Sequence, residues 1–197
     1  MRYTQAMSNP TTHTSSTSVL DRRTAVLDSA LTTFARFGYR KTSMEEVARA
    51  AHISRPGLYF LFASKEDLFR AAVLRALEVD VAAVERILGE SDRSINDRLL
   101  DSFDHWAGRY IGPMTRDVSA VIEDNPELLG DIVESFPQRF ANLISNALVA
   151  QAKTLGLRCP TELAQTMIST AIGIKYQVKN RDEYLERLAV AIDLLLH

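Results

Sequence analysis

The amino-acid sequence predicts an all-α protein of about nine helices. Apolar residues recur at intervals of three and four through most of the chain, which is the spacing of one helix face. Capping boxes begin these stretches, and glycine or proline residues end them. No alternating, β-branched run lies between hairpin signals, so the sequence predicts no strand.

Size and composition are those of an ordinary globular chain of one or two domains. The chain has 197 residues, 46% of them hydrophobic and 24% charged, which is enough for a substantial core. It contains no run of 18 apolar residues and no apolar secretory leader. The single cysteine, Cys159, excludes an internal disulfide and a multi-cysteine metal site. We therefore expect a cytoplasmic protein that needs no metal or other cofactor.

The N-terminal part begins with a polar tail and continues as a helix. The first 18 residues include nine Ser or Thr and few apolar anchors, so we expect them to be disordered. Whether Met7 is the natural start stays open. A capping box at Ser18–Asp21 predicts a helix that Gly38 ends. Its apolar stripe predicts a face buried in the core: Leu27, Ala30, Leu31, Phe34 and Phe37.

Two short helices joined by a tight turn follow. Capping boxes at Thr42–Glu45 and Ser43–Glu46 allow the first of them to begin in either register. The turn contains His52, a residue type that tolerates a positive φ better than most. Ser54 caps the second, which accommodates Pro56 in its first turn. This is the helix-turn-helix layout, whose second helix enters the DNA major groove.

The remainder of the chain also has helical patterns. Its capping boxes and its proline and glycine signals predict the following helices: Ser64–Leu88, Ser94–Ile111, Met114–Glu123, one from Asn125 that breaks or kinks near Pro137 and resumes to Leu155, Cys159–Lys179, and a last helix from Asn180 or Arg181. We divide the chain into a tail at 1–18, a three-helix DNA-binding domain at 19–66, and a helical ligand-binding and dimerisation domain at 67–197.

Charge is unevenly distributed along the chain. Residues 19–70 contain nine Lys or Arg and six Asp or Glu, whereas residues 71–197 contain 13 and 19. The net charge of −2 for the whole chain hides this difference. A basic region on an acidic body indicates a nucleic-acid-binding surface in the N-terminal part. Chance clustering on a solvated face is the alternative.

Residues 26–69 combine several short motifs in a fixed order. They are F-x-x-x-G-Y, T-S-M, A-x-x-A-x-I-S, L-Y-x-x-F and S-K-E-D-L. This segment resembles the DNA-binding domain of the TetR family of regulators. His52 stands where the family often has glycine, and Pro56–Gly57 replaces a small residue followed by a threonine that contacts DNA. The missing hydroxyl group shifts more of the expected base recognition to Arg55.

The predicted DNA contacts cluster around the second short helix. Arg55 is the only long donor in its first two turns, so we expect Arg55 to contact guanine; an exposed arginine without such a role is the alternative. The resemblance implies phosphate contacts for Tyr59 and Lys65, and Thr42 and Ser43 can meet a phosphate while capping a helix. The predicted DNA-binding residues are Arg40, Lys41, Thr42, Ser43, Ser54, Arg55, Pro56, Gly57, Tyr59 and Lys65.

The C-terminal part resembles the regulatory domain of the same family more loosely, through P-E-L-L, F-P-Q-R-F and G-L-R between Pro126 and Arg158. The resemblance implies a small, apolar effector bound between the middle helices. Aromatic pairs at helical spacing are more often core than pocket, and that alternative stays open. His105 and Arg109 are also spaced to meet an anionic group. The candidate effector contacts are Phe103, His105, Trp106, Tyr110, Met114, Phe136, Phe140 and Met167.

The resemblance further implies a homodimer formed through the last two helices. Two apolar stripes are candidates for a four-helix interface. They comprise Leu163, Met167, Thr170, Ala171 and Ile174 in one helix, and Leu188, Ile192 and Leu195 in the other. The alternative is an intramolecular core that claims part of both stripes.

These features favour a homodimeric, ligand-responsive repressor that an apolar or aromatic effector releases from a palindromic DNA operator. One alternative is a helix-turn-helix regulator controlled by a protein partner, without a ligand cavity. Another is an all-α enzyme. The sequence has no Glu-x-x-His pair, no H-E-x-x-H motif and no Gly-rich phosphate loop, so we expect no enzymatic activity.

Overall fold

The structure, a computed structural model, describes the backbone of residues 13–111, 122 and 125–196, and the side chains from residue 21 onward in these ranges. Within this part of the chain all regular structure is helical, which confirms the predicted all-α class. None of these helices is long and apolar enough to cross a membrane. The α-helices are α1 (His13–Phe37), α2 (Met44–Ala50), α3 (Arg55–Leu61), α4 (Lys65–Leu88), α5 (Ile95–Trp106), α6 (Pro126–Leu129), α7 (Ile132–Leu155), α8 (Pro160–Lys175) and α9 (Arg181–Leu196).

Helix α1 begins earlier than the sequence predicts. It starts at His13, so residues 13–18 are helical and do not belong to a disordered tail. Extending an existing helix costs little per residue, and Ser and Thr have only moderately lower propensity than other residues. The rest of the predicted tail, residues 1–12, lies outside the described residues. So does most of the helix predicted at Met114–Glu123.

The first hydrophobic core joins the predicted DNA-binding domain to part of the predicted regulatory domain. Phe34 of α1 and Phe69 of α4 meet edge to face, with ring centroids 5.2 Å apart. The same core includes Leu129, Ile132 and Phe136 from α6 and α7. The predicted domain boundary after residue 66 is therefore crossed by continuous packing.

A second core lies within the predicted regulatory domain. It lies among α5, α7, α8 and α9 and the last part of α4. Phe103 and Phe140 meet edge to face at 5.3 Å near its centre. Helices α4 and α7 contribute residues to both cores and therefore connect them.

Two helix ends differ from the prediction. Helix α5 ends at Trp106, before the predicted Ile111, and a 3-10 turn follows at Gly108–Tyr110. A Cβ at Gly108 would lie 2.5 Å from Asp104 Oδ1 and 3.1 Å from the Tyr184 ring, so a larger residue would displace the Asp104 carboxylate.

The predicted break near Pro137 is also displaced. It falls at Gly130, whose φ of 57° favours glycine, and α7 then continues through Pro137. Phe136 and Phe140 are buried on either side of the proline, and their packing holds the helix together. Helix α8 ends at Lys175, four residues before the predicted Lys179, because the chain turns there towards α9.

Candidate functional site

The start of α2 is fixed by a capping box. The Glu46 N–H donates to Ser43 Oγ at 3.2 Å, and the Ser43 N–H donates to Glu46 Oε2 at 2.7 Å. This second bond lowers the pKa of the Glu46 carboxyl. Ser43 is therefore the cap, and the register that begins at Thr42 is excluded.

Thr42 has a different role. Its side chain is 2% exposed, and both its Oγ1 and its N–H donate to the Gly38 carbonyl, at 2.8 and 3.2 Å. A buried threonine with both donors engaged cannot reach a phosphate. The DNA contact predicted for Thr42 does not fit this arrangement, and its hydroxyl stabilises the turn after α1.

The turn between α2 and α3 is a Schellman motif. The His52 N–H donates to the Arg49 carbonyl at 3.2 Å, and the Ile53 N–H donates to the Ala48 carbonyl at 3.0 Å. His52 has a φ of 54° and is the one non-glycine residue with positive φ among the described residues. The expected use of histidine in place of glycine is confirmed.

Helix α3 is held at both ends. At its start, the Gly57 N–H donates to Ser54 Oγ at 3.1 Å, so Ser54 is the predicted cap. At its end, Arg23 of α1 donates to the Leu61 carbonyl at 2.7 Å, and its guanidinium lies 4.2 Å from the centre of the Phe62 ring. This second support was not predictable from local sequence signals, because its partners are 38 residues apart.

The outer face of α3 carries the candidate base-reading groups. Arg55, Pro56 and Tyr59 are exposed, as expected for DNA contact. The Arg55 guanidinium lies 5.7 Å from the Tyr59 ring centre, a cation–π distance that orients the arginine over the helix surface.

Phe60, which sequence reasoning missed, is 87% exposed on the same helix. Its position two residues after the buried Leu58 was the available signal, because that spacing places it on the opposite side.

Lys65 fastens the start of α4 to the loop between α1 and α2. Its ammonium group donates to the carbonyls of Tyr39 and Thr42, both at 3.1 Å, and lies 4.4 Å from the Tyr39 ring centre. Two of its three N–H groups are thus used within the chain. One N–H group of Lys65 is therefore left for the predicted phosphate contact. Arg40 and Lys41, on the loop between α1 and α2, are exposed.

The candidate effector contacts are split between the two cores. Trp106 packs against both, and its ring stacks on Phe140 with centroids 4.7 Å apart and an angle of 7°. Phe103, Phe140 and Met167 are buried in the second core and Phe136 in the first. Met114 lies outside the described residues. The structure therefore brings Phe103, Trp106 and Phe140 into ring contact, and Trp106 also packs against the core that contains Phe136.

Polar side chains lie next to this aromatic cluster. The Tyr110 hydroxyl donates to Asp80 Oδ2 at 2.6 Å, and Arg109 donates to both Asp80 and Tyr110. Burial raises the pKa of Asp80, against the lowering effect of these two donors. Burial and the bond to Asp80 raise the pKa of Tyr110 to about 12. Arg109 is thus neutralised by Asp80, and the expected pairing of His105 with Arg109 on an anionic ligand does not fit this geometry.

The predicted dimer stripes face inward. Their central members lie in the second core of the same chain: Met167, Ala171, Ile174, Leu188 and Ile192. Leu163 and Leu195 are partly buried against that core, and Thr170 donates to the Thr166 carbonyl at 2.8 Å. The spacing of apolar residues on α8 and α9 thus identified buried faces, but these faces are buried within the same chain and not in a dimer interface.

Several apolar residues of α8 and α9 outside these stripes are exposed. Ile172 of α8 and Tyr176, which directly follows α8, are four residues apart, with 53% and 72% of their surface exposed. Val190 and Leu194 are one turn apart on α9, with 60% and 75% exposed. The two helices pack against each other, and these four apolar side chains lie outside the core of this chain.

Comparisons with known proteins agree with this architecture. Residues 26–72 match the family model for bacterial regulatory proteins of the tetR family. The HTH-type transcriptional regulator RutR of Escherichia coli is 35% identical over 75 residues, 38% of this chain and 35% of RutR. The match thus spans about a third of that curated relative.

Two further proteins are similar over more of the chain. HdnoR, the HTH-type nicotine-responsive transcriptional repressor of Paenarthrobacter nicotinovorans, is 28% identical over 142 residues, 69% of this chain and 72% of HdnoR. A solved structure from Mesorhizobium loti, assigned to the same family of transcriptional regulators, superposes with a TM-score of 0.73 at 19% identity. It covers 90% of this chain and 96% of the other, which shows a shared fold.

Proposed function

Because the chain is a member of the TetR family, we propose that it is a homodimeric transcriptional repressor that binds a palindromic operator and leaves it when a small effector binds. The observation that carries the proposal is the outer face of α3. Arg55 and Tyr59 are exposed there on a helix that Ser54 and Arg23 fix at its two ends. A rigidly held short helix with an exposed arginine fits major-groove recognition.

A dimer is proposed from the exposed ends of α8 and α9. A palindromic operator requires two copies of α3 related by a two-fold axis. Ile172, Tyr176, Val190 and Leu194 are exposed apolar side chains on these helices, and a second copy of the chain would cover them. This replaces the inward-facing stripes as the candidate interface.

A small apolar or aromatic effector is proposed for the region around Trp106. The indole ring is partly exposed and stacks on Phe140, and it touches both cores. A ligand there would contact α5 and α7, and α7 shares the first core with α1, α2 and α3. HdnoR is named for its response to nicotine, which supports a small-molecule effector.

The experiment is DNase protection of genomic promoter fragments by the purified full-length chain, followed by a compound screen for release. We expect one or a few protected fragments with two-fold sequence symmetry. A chain that protects no fragment contradicts the proposal. Protection that no small compound reverses, but that a bound protein does, favours control by a protein partner. The named relatives are regulators, so no observation favours the enzyme alternative.

A further inference from the structure

Helix α3 carries an apolar ridge that DNA recognition by Arg55 does not use. At about 100° per residue, Pro56 and Phe60 both lie within about 20° of the direction opposite Leu58. Leu58 is fully buried, so this ridge is the part of α3 that projects furthest from the domain. Phe60, at 87%, is the most exposed large hydrophobic side chain in the described part of the chain.

The position of this ridge determines what it can meet. Arg55 lies beside Pro56 on the same exposed surface, and Arg40 and Lys41 are exposed on the loop before α2. A partner that approaches α3 therefore meets positive charge around an apolar centre. DNA has the complementary arrangement, with phosphates flanking a groove floor of base edges.

The chemistry of the groove then selects the base. Neither a phenyl ring nor a proline ring offers a hydrogen-bond donor or a conventional acceptor. The apolar group that a base edge presents in the major groove is the C5-methyl group of thymine. Phe60 is five residues after Arg55, or roughly 7 Å along the helix axis, which corresponds to roughly two base pairs.

We propose that Phe60, supported by Pro56, reads a thymine methyl group about two base pairs from the base that Arg55 contacts. This inference rests on the proposed function and adds a thymine to the expected half-site. It also assigns a role to Pro56, which stands where the family commonly has a small residue.

The test removes the methyl group without changing base pairing. Each thymine of the protected operator is replaced in turn by deoxyuridine, and dissociation constants are measured for wild type, Phe60→Ala and the control Val79→Ala. We expect deoxyuridine at one or two positions per half-site to weaken wild-type binding roughly three- to tenfold. A loss of this size is smaller than the full discrimination that a good bidentate base contact provides. Phe60→Ala should lose a similar factor on the thymine operator and be insensitive to deoxyuridine at those positions. Val79→Ala, exposed on α4, should behave as wild type.

The outcomes separate the two proposals. Specific binding by wild type that no deoxyuridine weakens, or equal methyl sensitivity in Phe60→Ala, overturns the thymine inference alone. Absence of any specific DNA binding overturns the proposed function and the inference together. Thermal melting of Phe60→Ala should match wild type, because the side chain touches little of the folded chain. Phe60→Leu, which retains an apolar contact, should keep part of the methyl dependence.

Discussion

Arg70 of α4 donates a 2.7 Å hydrogen bond to the carboxylate of Asp131 at the start of α7. It also donates to the Leu129 carbonyl, and Gly130 leaves room for its guanidinium between these partners. The contact joins residues 61 positions apart and ties the first part of α4, next to the helix-turn-helix, to the start of α7.

Removal of this contact should destabilise the chain. We expect Arg70→Ala to lower the free energy of unfolding by about 1–2 kcal/mol, because the Leu129 carbonyl loses a charged donor. Urea denaturation followed by circular dichroism measures it. Arg75→Ala is the control, since Arg75 also lies on α4 but pairs with an exposed Asp28, and should cost less than about 1 kcal/mol. Equal losses in the two variants would contradict a special role for Arg70.

The same contact should respond to acid. The hydrogen bond from Arg70 holds the pKa of the Asp131 carboxyl below its ordinary value of 3.8. A depressed folded pKa gives a contribution that is present above the unfolded pKa and is lost as pH falls through the folded value. The stability difference between wild type and Asp131→Asn should therefore shrink as the pH is lowered below about 4. A difference that stays constant down to pH 2 would argue against the pairing.

His52 offers a stability test within the helix-turn-helix. His52→Gly should raise the free energy of unfolding by up to about 1 kcal/mol, because glycine adopts positive φ without steric cost. His52→Val should lower it by about 1–2 kcal/mol. Arg49→Gly, in the regular part of α2, is the control and should lower stability by about 1 kcal/mol. Thermal unfolding of the full-length chain distinguishes these signs, and destabilisation by His52→Gly would be the unexpected result.

Arg55 should determine one operator position. We expect Arg55→Ala to weaken specific binding by about 1–3 kcal/mol and to relax sequence preference at one base pair of each half-site. Binding titrations against operators with single substitutions measure both effects. Arg49, which is exposed on α2 and paired with Glu45, provides the comparison. An equal loss on every sequence would instead indicate a phosphate contact.

The exposed apolar residues of α8 and α9 should control assembly. Leu194→Glu should convert a dimer into monomers, since burial of an unpaired carboxylate in the interface costs several kcal/mol. Light scattering at micromolar concentration measures the mass. Val149→Glu, at an exposed position on α7, is the matched control and should remain dimeric. A wild-type chain that is monomeric under these conditions would remove the dimer from the proposal.

Trp106 should report effector binding. It is the single tryptophan of the chain, so its fluorescence has one source. A compound that releases the protein from its operator should quench or shift this emission by disturbing the stack on Phe140. Trp106→Phe should lose the signal while it retains DNA binding. A verified inducer that leaves the emission unchanged would place the effector elsewhere.

Local signals were sufficient to predict the helix-turn-helix. The caps at Ser43, Ser54, Ser64 and Ser94 each bond an N–H three residues later, so the sequence encodes them within one turn. Contacts between distant residues were not predictable in this way. The support of Leu61 by Arg23 and the pairing of Arg109 with Asp80 depend on how whole helices pack.

Helices α8 and α9 show a second limit. Each has apolar residues on two faces, and Met167 and Ile172 are equally consistent with a core or an interface in the sequence. The structure buries Met167 and exposes Ile172. Spacing alone identifies a face, whereas the partner of that face depends on the tertiary arrangement.

The first core has a consequence for transplanting the DNA-binding region into another protein. A fragment that ends at residue 66 would lack Leu68, Phe69, Ala72 and Val73, the buried residues of α4 against which α1 packs. A fragment extended through α4 would still lack the cover supplied by Leu129, Ile132 and Phe136. The helix-turn-helix region therefore depends on residues outside it for part of its core. Chimeric regulators built from this chain should place the fusion point after α4. They should also provide apolar side chains that replace Leu129, Ile132 and Phe136.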